Sequence, residues 1–488
     1  MDEARAGVMS DPAARRHLSR LGFDRVLTTR LDDQTVRVSY FAGQQVVLEA
    51  AVSANGRVTG LNRYEDGHAR LGSEVGQRAP ALAGLLALFL LATLRLPLRR
   101  THNVDVAALA AFVVPVVLLN ERYLEWSAIA AGVPLVYLAA RCCQAAVGHR
   151  QAPSGDFVFD RLSRGVRWLC VGGAAVSVVL LSIPGGLVSD VAFASMAGAT
   201  TLLDGALPYG NLTQGELVHG DTYPLLAYLA YVPAALVAPV RDGFDSLDGA
   251  LWFATAVALA AACALGVAVR RAGGNGAQGA LAMLSFPPVM IAASSGSNDV
   301  VAGALVALAL AAGSTGALVA AGWVKLAPLA LVPLWIAAAR RGVHALAAAA
   351  SVTVVVAGLL MAVGGPAGVW DMAEAVSFQA ERGSLLSPWT LLGAGGAQIV
   401  FQAAVIAGIA AAFLRVRHDR ALAADPRRMA ALGASVLLCV QLAANYWTYT
   451  YLAWVFPLIA LVLLSRERPA NFPSCVPTGD THGGKFGE

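Results

Sequence analysis

Several ionisable residues stand where an otherwise apolar chain has least reason to keep them. Asp190 comes just after the run "VRWLCVGGAAVSVVLLSIPGGLV", and the polar stretch behind it ends in His219, Gly220, Asp221, Thr222, Tyr223 and Pro224. Asp299 closes "SND" ahead of another apolar run, and Lys325 interrupts "AAGWVKLAPLALVPLW". A charge at the bilayer centre costs about 2.5–3.5 kcal/mol on insertion scales and less toward the interface, so such residues are functional candidates by default. A carboxylate can take up a proton, and a lysine in such a place can hold an anionic head group such as a phosphate. Plainer readings stand beside these. Ser189 or Asp190 can cap a helix beginning near Val191, Asp299 can be an N-cap, and Lys325 can snorkel to an interface.

Composition sets the surroundings. The chain has 488 residues, 57% of them hydrophobic and 14% charged, and its mean hydropathy is +0.63. Soluble domains carry about 25% charged residues, so this chain has too little polar surface to cover itself in water. Apolar runs of about 17–25 residues recur from Ala81 onward, each long enough to cross a bilayer as a helix. The net charge of +4 comes from short arginine clusters between apolar runs, which is a topology signal and no indication of nucleic acid. The six cysteines form no CxxC pair, so neither a zinc site nor a disulfide framework is expected. The amino-terminal stretch has no apolar core and does not read as a cleavable signal peptide.

Residues 1–79 differ from the rest. Asp11 and Pro12 mark the start of a short helix. Four half-alternating stretches follow, with Asn55-Gly56 as a hairpin signal between the last two. The expectation is a small α+β domain, one helix on an antiparallel meander, with a regulatory or assembly role. Beyond it the pattern predicts a mostly α, polytopic bundle of about 11–13 membrane segments. Residues 80–165 hold additional helices and a cytoplasmic linker, 166–465 the core, and 466–488 a disordered cytoplasmic tail. The proline-broken stretch 223–240 is not expected to span. Residues 318–338 are expected to re-enter, broken at Lys325 to Pro328.

Lys/Arg bias orients the segments. Arg99-Arg100, Arg141 to Arg167, Arg270-Arg271, Arg415 to Arg428 and Arg466 to Arg468 belong inside a multi-pass plasma-membrane protein. Loops 189–248 and 365–388 and the tip around Asn445 belong outside, and residues 1–79 fall on that outer side as well. The outer face then collects Asp190, Asp204, Tyr209, His219, Asp221, Tyr223, Asp299, Arg382, Asn445 and several tryptophans and tyrosines. An aromatic belt accounts for most of the rings but not for carboxylates at helix ends.

The order "D-V-x-F-A…G-A…D-G-x-L-P-Y-G…H-G-D-T-Y-P-L-L" resembles the first outer loop of GT-C glycosyltransferases. It is most similar to family 87, the polyprenyl-phosphate-mannose-dependent mannosyltransferases of actinobacteria. Asp190, Gly205, Pro208-Tyr209 and Thr222-Tyr223-Pro224 take the places of that family's motif, with Leu225 where its second proline stands. "GWVKLAPLALVPLW", "GSLLSPWTLLG" and "NYWTYTYLAWVFPLIALVLL" resemble its later segments, without the histidine often found in the last loop. The resemblance covers roughly residues 166–465.

The resemblance implies a GT-C-like fold and transfer of mannose or another sugar from a polyprenyl-phosphate donor to a glycan or glycolipid acceptor on the outer face. It makes Asp190 the general base that deprotonates the acceptor hydroxyl. Lys325, Arg382 and His219 become contacts for the leaving phosphate. Asp221, Tyr223, Tyr209 and Asn445 become further substrate contacts, and Asp204 and Asp299 are expected to matter much less than Asp190. No metal and no cofactor beyond the lipid donor is implied. The partners are membrane lipids, the lipid-linked sugar and its acceptor. A transporter or flippase of lipid-linked glycans is the competing class, and the possible break at Lys325 to Pro328 speaks for it.

Overall fold

The computed structural model describes residues 2–30, 35–43, 45–63, 79–148, 156–182, 189–212, 220–240, 247–381, 384 and 386–466. At the amino terminus the side chain of Asp11 accepts from the backbone N–H groups of Ala13 and Ala14, both at 2.8 Å, and Pro12 opens the helix Pro12–Leu21. A second helix, Asp2–Ser10, precedes it. The expected single helix is therefore a pair. Ala4 and Val8 give the first helix a buried stripe at i, i+4 spacing, and that stripe packs with the sheet.

The sheet is a four-stranded meander of β1 (Arg25–Arg30), β2 (Thr35–Ala42), β3 (Gln45–Ser53) and β4 (Val58–Arg63), all antiparallel. Asn55-Gly56 lies in the turn between β3 and β4, where Gly56 takes φ +76°. The sheet docks on the start of the Leu124–Val147 helix. Arg25 Nη1 lies 2.8 Å from Glu125 Oε1, and the Val46 N–H donates to Arg122 O at 3.3 Å.

Beyond this domain the chain is helical. Six described helices are long and apolar enough to cross a bilayer: Thr101–Asn120, Leu124–Val147, Arg164–Leu181, Asp248–Arg271, Gly342–Gln379 and Gly395–His418. Gly276–Ser285 and Pro287–Ser294 make a seventh if their 62° bend is counted within one span. This is fewer than the sequence pattern suggested, because several apolar runs are cut short. Proline at 287 breaks one. Gly313, at φ +66°, ends the helix Asp299–Ala312, and Ser314 caps the next. Lys325 is extended (φ −140°, ψ 128°) between the helix Thr315–Val324 and the turn Ala327–Leu331, which leads into Val332–Ala338. The interruption foreseen at Lys325 to Pro328 is thus present.

Two loops are more ordered than expected. Residues 365–388 are largely helical: the helix from Gly342 runs to Glu381 across a kink at Gly365 (φ +60°), and Pro366 follows at the first position of the continuation. The stretch 223–240 forms two single-turn helices, Leu226–Leu229 and Val232–Ala235, each too short to span.

The described arginine clusters meet at one end of the bundle. Arg95 donates to Leu463 O at 3.2 Å, Arg427 to Val462 O at 3.2 Å and Arg428 to Ala146 O at 3.0 Å. Arg271 reaches Ala311 O, and Arg466 pairs with Asp160. Asp419 accepts from the Leu422 N–H and faces Arg428 and Arg415. The hydrogen bond first, and the arginines second, hold its carboxyl below the ordinary value. The amino-terminal domain docks at the far end of Leu124–Val147 from the Ala146 contact.

Candidate functional site

Away from the arginines, the helix starts at Asp190 and Asp299 are tied together. The Ser189 N–H and Oγ both donate to Ser295 O at 3.0 Å, and Tyr231 donates to Gly296 O at 2.7 Å. Gly296 takes φ +70° there, and a Cβ on it would come within 2.9 Å of Ala192 Cβ, so the turn needs glycine. Asp299 is 1% exposed, and its carboxylate is fully engaged. Oδ2 accepts from Ser297 Oγ at 2.8 Å, Oδ1 accepts from Trp454 Nε1 at 3.1 Å, and Lys325 Nζ lies 3.4 Å from Oδ1. The carboxylate that the sequence offered as a helix cap is a buried ion-pair partner.

Lys325 is delivered by the helix break. The last helical residue is Val324, and the extended backbone at 325 turns the side chain toward Asp299. Its ammonium sits 4.3 Å from the Tyr223 ring centroid and 5.4 Å from that of Tyr451. Aromatic faces attract a cation at these distances. Lys325 also lines a cleft of about 500 Å³. Tyr223, Tyr446, Tyr451 and Trp454 supply its aromatic wall, and Gln379, Gln402, Gln441 and Asn445 its amides. Among the described lining residues there is no Asp or Glu, and Lys325 is the one charged side chain. Such a lining suits a ligand with one anionic group beside hydroxyl-bearing apolar rings.

The cleft is braced from behind. Gln379 donates to Thr222 Oγ1 at 2.6 Å, Gln402 to Ala443 O at 3.0 Å and Trp389 to Leu442 O at 2.7 Å. Asn445 Oδ1 accepts from Gln398, and Gln441 joins Trp447 Nε1 to Tyr451 O. Tyr209 is 4% exposed and donates to Tyr223 O at 3.2 Å. Burial first, and the charge of Asp221 second, push its hydroxyl pKa well up, so it stays a donor. Asp221 Oδ2 accepts from the Gly210 N–H at 2.8 Å and closes the loop.

Of the residues singled out in the sequence, Tyr223, Lys325 and Asn445 meet in the cleft. Tyr209 and Asp221 shape the loop behind Tyr223. Asp190 is exposed, accepts from its neighbour Val191 N–H at 2.8 Å, and does not line the cleft. Asp204 is exposed at the far end of the same helix. His219 and Arg382 lie outside the described residues. Sequence reasoning passed over Gln379, Gln402, Gln441, Tyr451 and Trp454, all of which line the cleft. The signal was there for Gln402, an amide within "AQIVFQAAVIAGIA", since a polar residue in an apolar helix needs a partner. Trp454 carried a similar one, because a buried indole N–H needs an acceptor. Among the described residues no cluster of His, Cys, Asp or Glu has the makings of a metal site. No protein-family model matches the chain, and neither does any curated protein or solved structure.

Proposed function

We propose that the protein is a membrane glycosyltransferase that moves a sugar from a polyprenyl-phosphate donor to a glycan or glycolipid acceptor. The observation that carries this reading is Lys325, a lysine backed by Asp299 and set among described lining residues that are otherwise aromatic, amide and apolar. A lipid phosphate would meet the ammonium there, the amides of Gln379, Gln402 and Asn445 would meet sugar hydroxyls, and the rings would cover apolar sugar faces. In transfer, the acceptor oxygen bonds to the anomeric carbon while the bond from that carbon to the phosphate oxygen breaks. The phosphate leaves with the electron pair, and Lys325 stabilises its charge. The acceptor proton goes to a carboxylate, and Asp190 is our candidate. Its exposure leaves it open to an acceptor hydroxyl. The gathering of the arginine clusters at the other end of the bundle supports an outer-face position for the cleft under the positive-inside rule.

The test is transfer from a short-chain polyprenyl-phosphate sugar by the purified protein in nanodiscs. The reading predicts release of polyprenyl phosphate and a glycosylated acceptor, both weakened by Lys325→Met. A transporter of lipid-linked glycans is the second reading, favoured by the helix break at Lys325. Movement of intact donor between leaflets with no bond cleaved would decide for it.

A further inference from the structure

The opposite end of the bundle holds a second groove of about 500 Å³, between the helices Arg164–Leu181, Asp248–Arg271 and Gly276–Ser285. We propose that it binds an anionic phospholipid, with the phosphate held by Arg164, Arg167 and Arg270 and the acyl chain laid along Val171 and Cys263. This site is separate from the candidate catalytic cleft and does not depend on the reading given to that cleft.

Charge is the first argument. The three arginines line one groove, and no Asp or Glu is among its described lining residues. None of the three forms an ion pair with a described carboxylate. The nearby Asp160 pairs with Arg466 and meets Asn275. Arg164 and Arg167 also stand in the first turn of their helix, where the backbone already presents its positive end and where no acidic residue is present. The first turn of Gly276–Ser285, also free of acidic residues, ends on the same groove. Three like charges and two helix starts are therefore gathered on one wall, and an anion offsets all of them together.

Shape and polarity are the second argument, and they separate a lipid from a free anion. Below the arginines the groove is apolar, and its floor is narrow because the chains approach closely: a Cβ on Gly266 would lie 2.8 Å from Gly276 O. Trp168 borders the groove and is 56% exposed, at the level where tryptophan marks a membrane interface. The Arg164–Leu181 helix is buried over only 11% of its apolar window, so this flank faces outward along most of its length. A basic rim over an apolar trough between helices at the arginine-rich end fits a two-chain phosphate lipid of that leaflet.

The test is native mass spectrometry of the full chain released from nanodiscs of equal phosphatidylcholine and phosphatidylglycerol. With about 1 kcal/mol for each basic residue near the surface, three arginines give a preference of about 10²-fold for the anionic lipid. The wild-type protein is expected to keep phosphatidylglycerol at collision energies that strip phosphatidylcholine. Replacing Arg164, Arg167 and Arg270 together with Gln should remove that preference. Cys263→Trp, which fills the trough without changing charge, should also release the lipid. Arg415→Gln with Arg417→Gln, at the same end but off the groove, should not. Equal retention of the two lipids by the wild type, or undiminished retention of phosphatidylglycerol by the triple variant, would overturn the proposal. Displacement of the lipid by inorganic phosphate alone would overturn it too, because it would show that the acyl chain plays no part.

Discussion

Lys325 Nζ lies 3.4 Å from Asp299 Oδ1, and the two side chains come from the end of the helix Thr315–Val324 and the start of Asp299–Ala312, with 10% and 1% of their surfaces exposed. The lysine forms part of the cleft wall and the aspartate stands behind it, held by Ser297 and Trp454. Removing one partner of a buried pair leaves an uncompensated charge, at a cost of about 3–5 kcal/mol.

Asp299→Asn should therefore destabilise the protein far more than Asp204→Asn or Asp190→Asn. Thermal unfolding in detergent, followed by tryptophan fluorescence, would check it. Lys325→Met combined with Asp299→Leu should recover most of the loss, since an apolar replacement of the whole pair strands no charge. Equal melting temperatures for Asp299→Asn and wild type would mean that the pair contributes nothing.

Tyr209→Phe removes the hydrogen bond that holds Tyr223 O, a loss of about 0.5–1.5 kcal/mol. Tyr223 then stands less firmly beside Lys325. Under the proposed function, KM for the lipid donor should rise with little change in kcat. The pH dependence has a definite sign. The folded-state pKa of Tyr209 is raised above its ordinary value of 10.0, so the contribution of the neutral phenol to stability is complete below that pH. It falls away as pH rises above about 10, where the unfolded chain releases the proton first. The Phe variant should show a smaller loss of stability on alkaline titration than the wild type.

The bundle's two ends predict labelling. In a cysteine-depleted background, Asp204→Cys and Leu392→Cys should react with an impermeant thiol reagent on intact cells. Ala424→Cys, beside the Asp419–Arg428 cluster, should react only after lysis. All three are exposed in the fold, so burial does not confound the comparison. Labelling of Ala424→Cys alone would turn the protein over and bring the cleft inside.

Local signals carried much of the fold. Asp11 and Pro12 specify a helix start by satisfying or lacking backbone N–H groups, and that start is present. Proline and an extended lysine break the helix at 325 for the same local reasons. The first helix, Asp2–Ser10, was not legible, because its stripe of Ala4 and Val8 is too short to show a period. The helix beyond Gly365 was missed because its polar composition resembles a loop, and its order comes from packing that no window of sequence reports. The site was half legible. Asp299 and Lys325 each stood out as charges in apolar runs, yet their pairing joins two helix ends and only the fold brings them together. Gln379 and Gln402 were passed over because an amide carries no charge to betray it.

The last prediction concerns Asp190. Its carboxylate is exposed and accepts from the Val191 N–H, while the helix N-cap is supplied by Ser189, which accepts from Ala192 at 3.2 Å. Asn at 190 keeps an acceptor oxygen for Val191 and leaves the cap untouched, so folding should be nearly indifferent to the change. Proton transfer is different, because an amide cannot take the proton of an acceptor hydroxyl. Under the proposed function, Asp190→Asn should express normally, melt with the wild type, bind the lipid donor unchanged and transfer sugar about 10²-fold or more slowly, within the range for loss of a general base. Asp221→Asn provides the contrast. It weakens the charge-assisted bond to the Gly210 N–H and loosens the loop, so it should act on donor KM and on stability and leave kcat nearly unchanged. Near-normal transfer by Asp190→Asn, with kcat abolished in Asp221→Asn, would move the base to Asp221 and leave Asp190 no more than a residue of the helix's first turn.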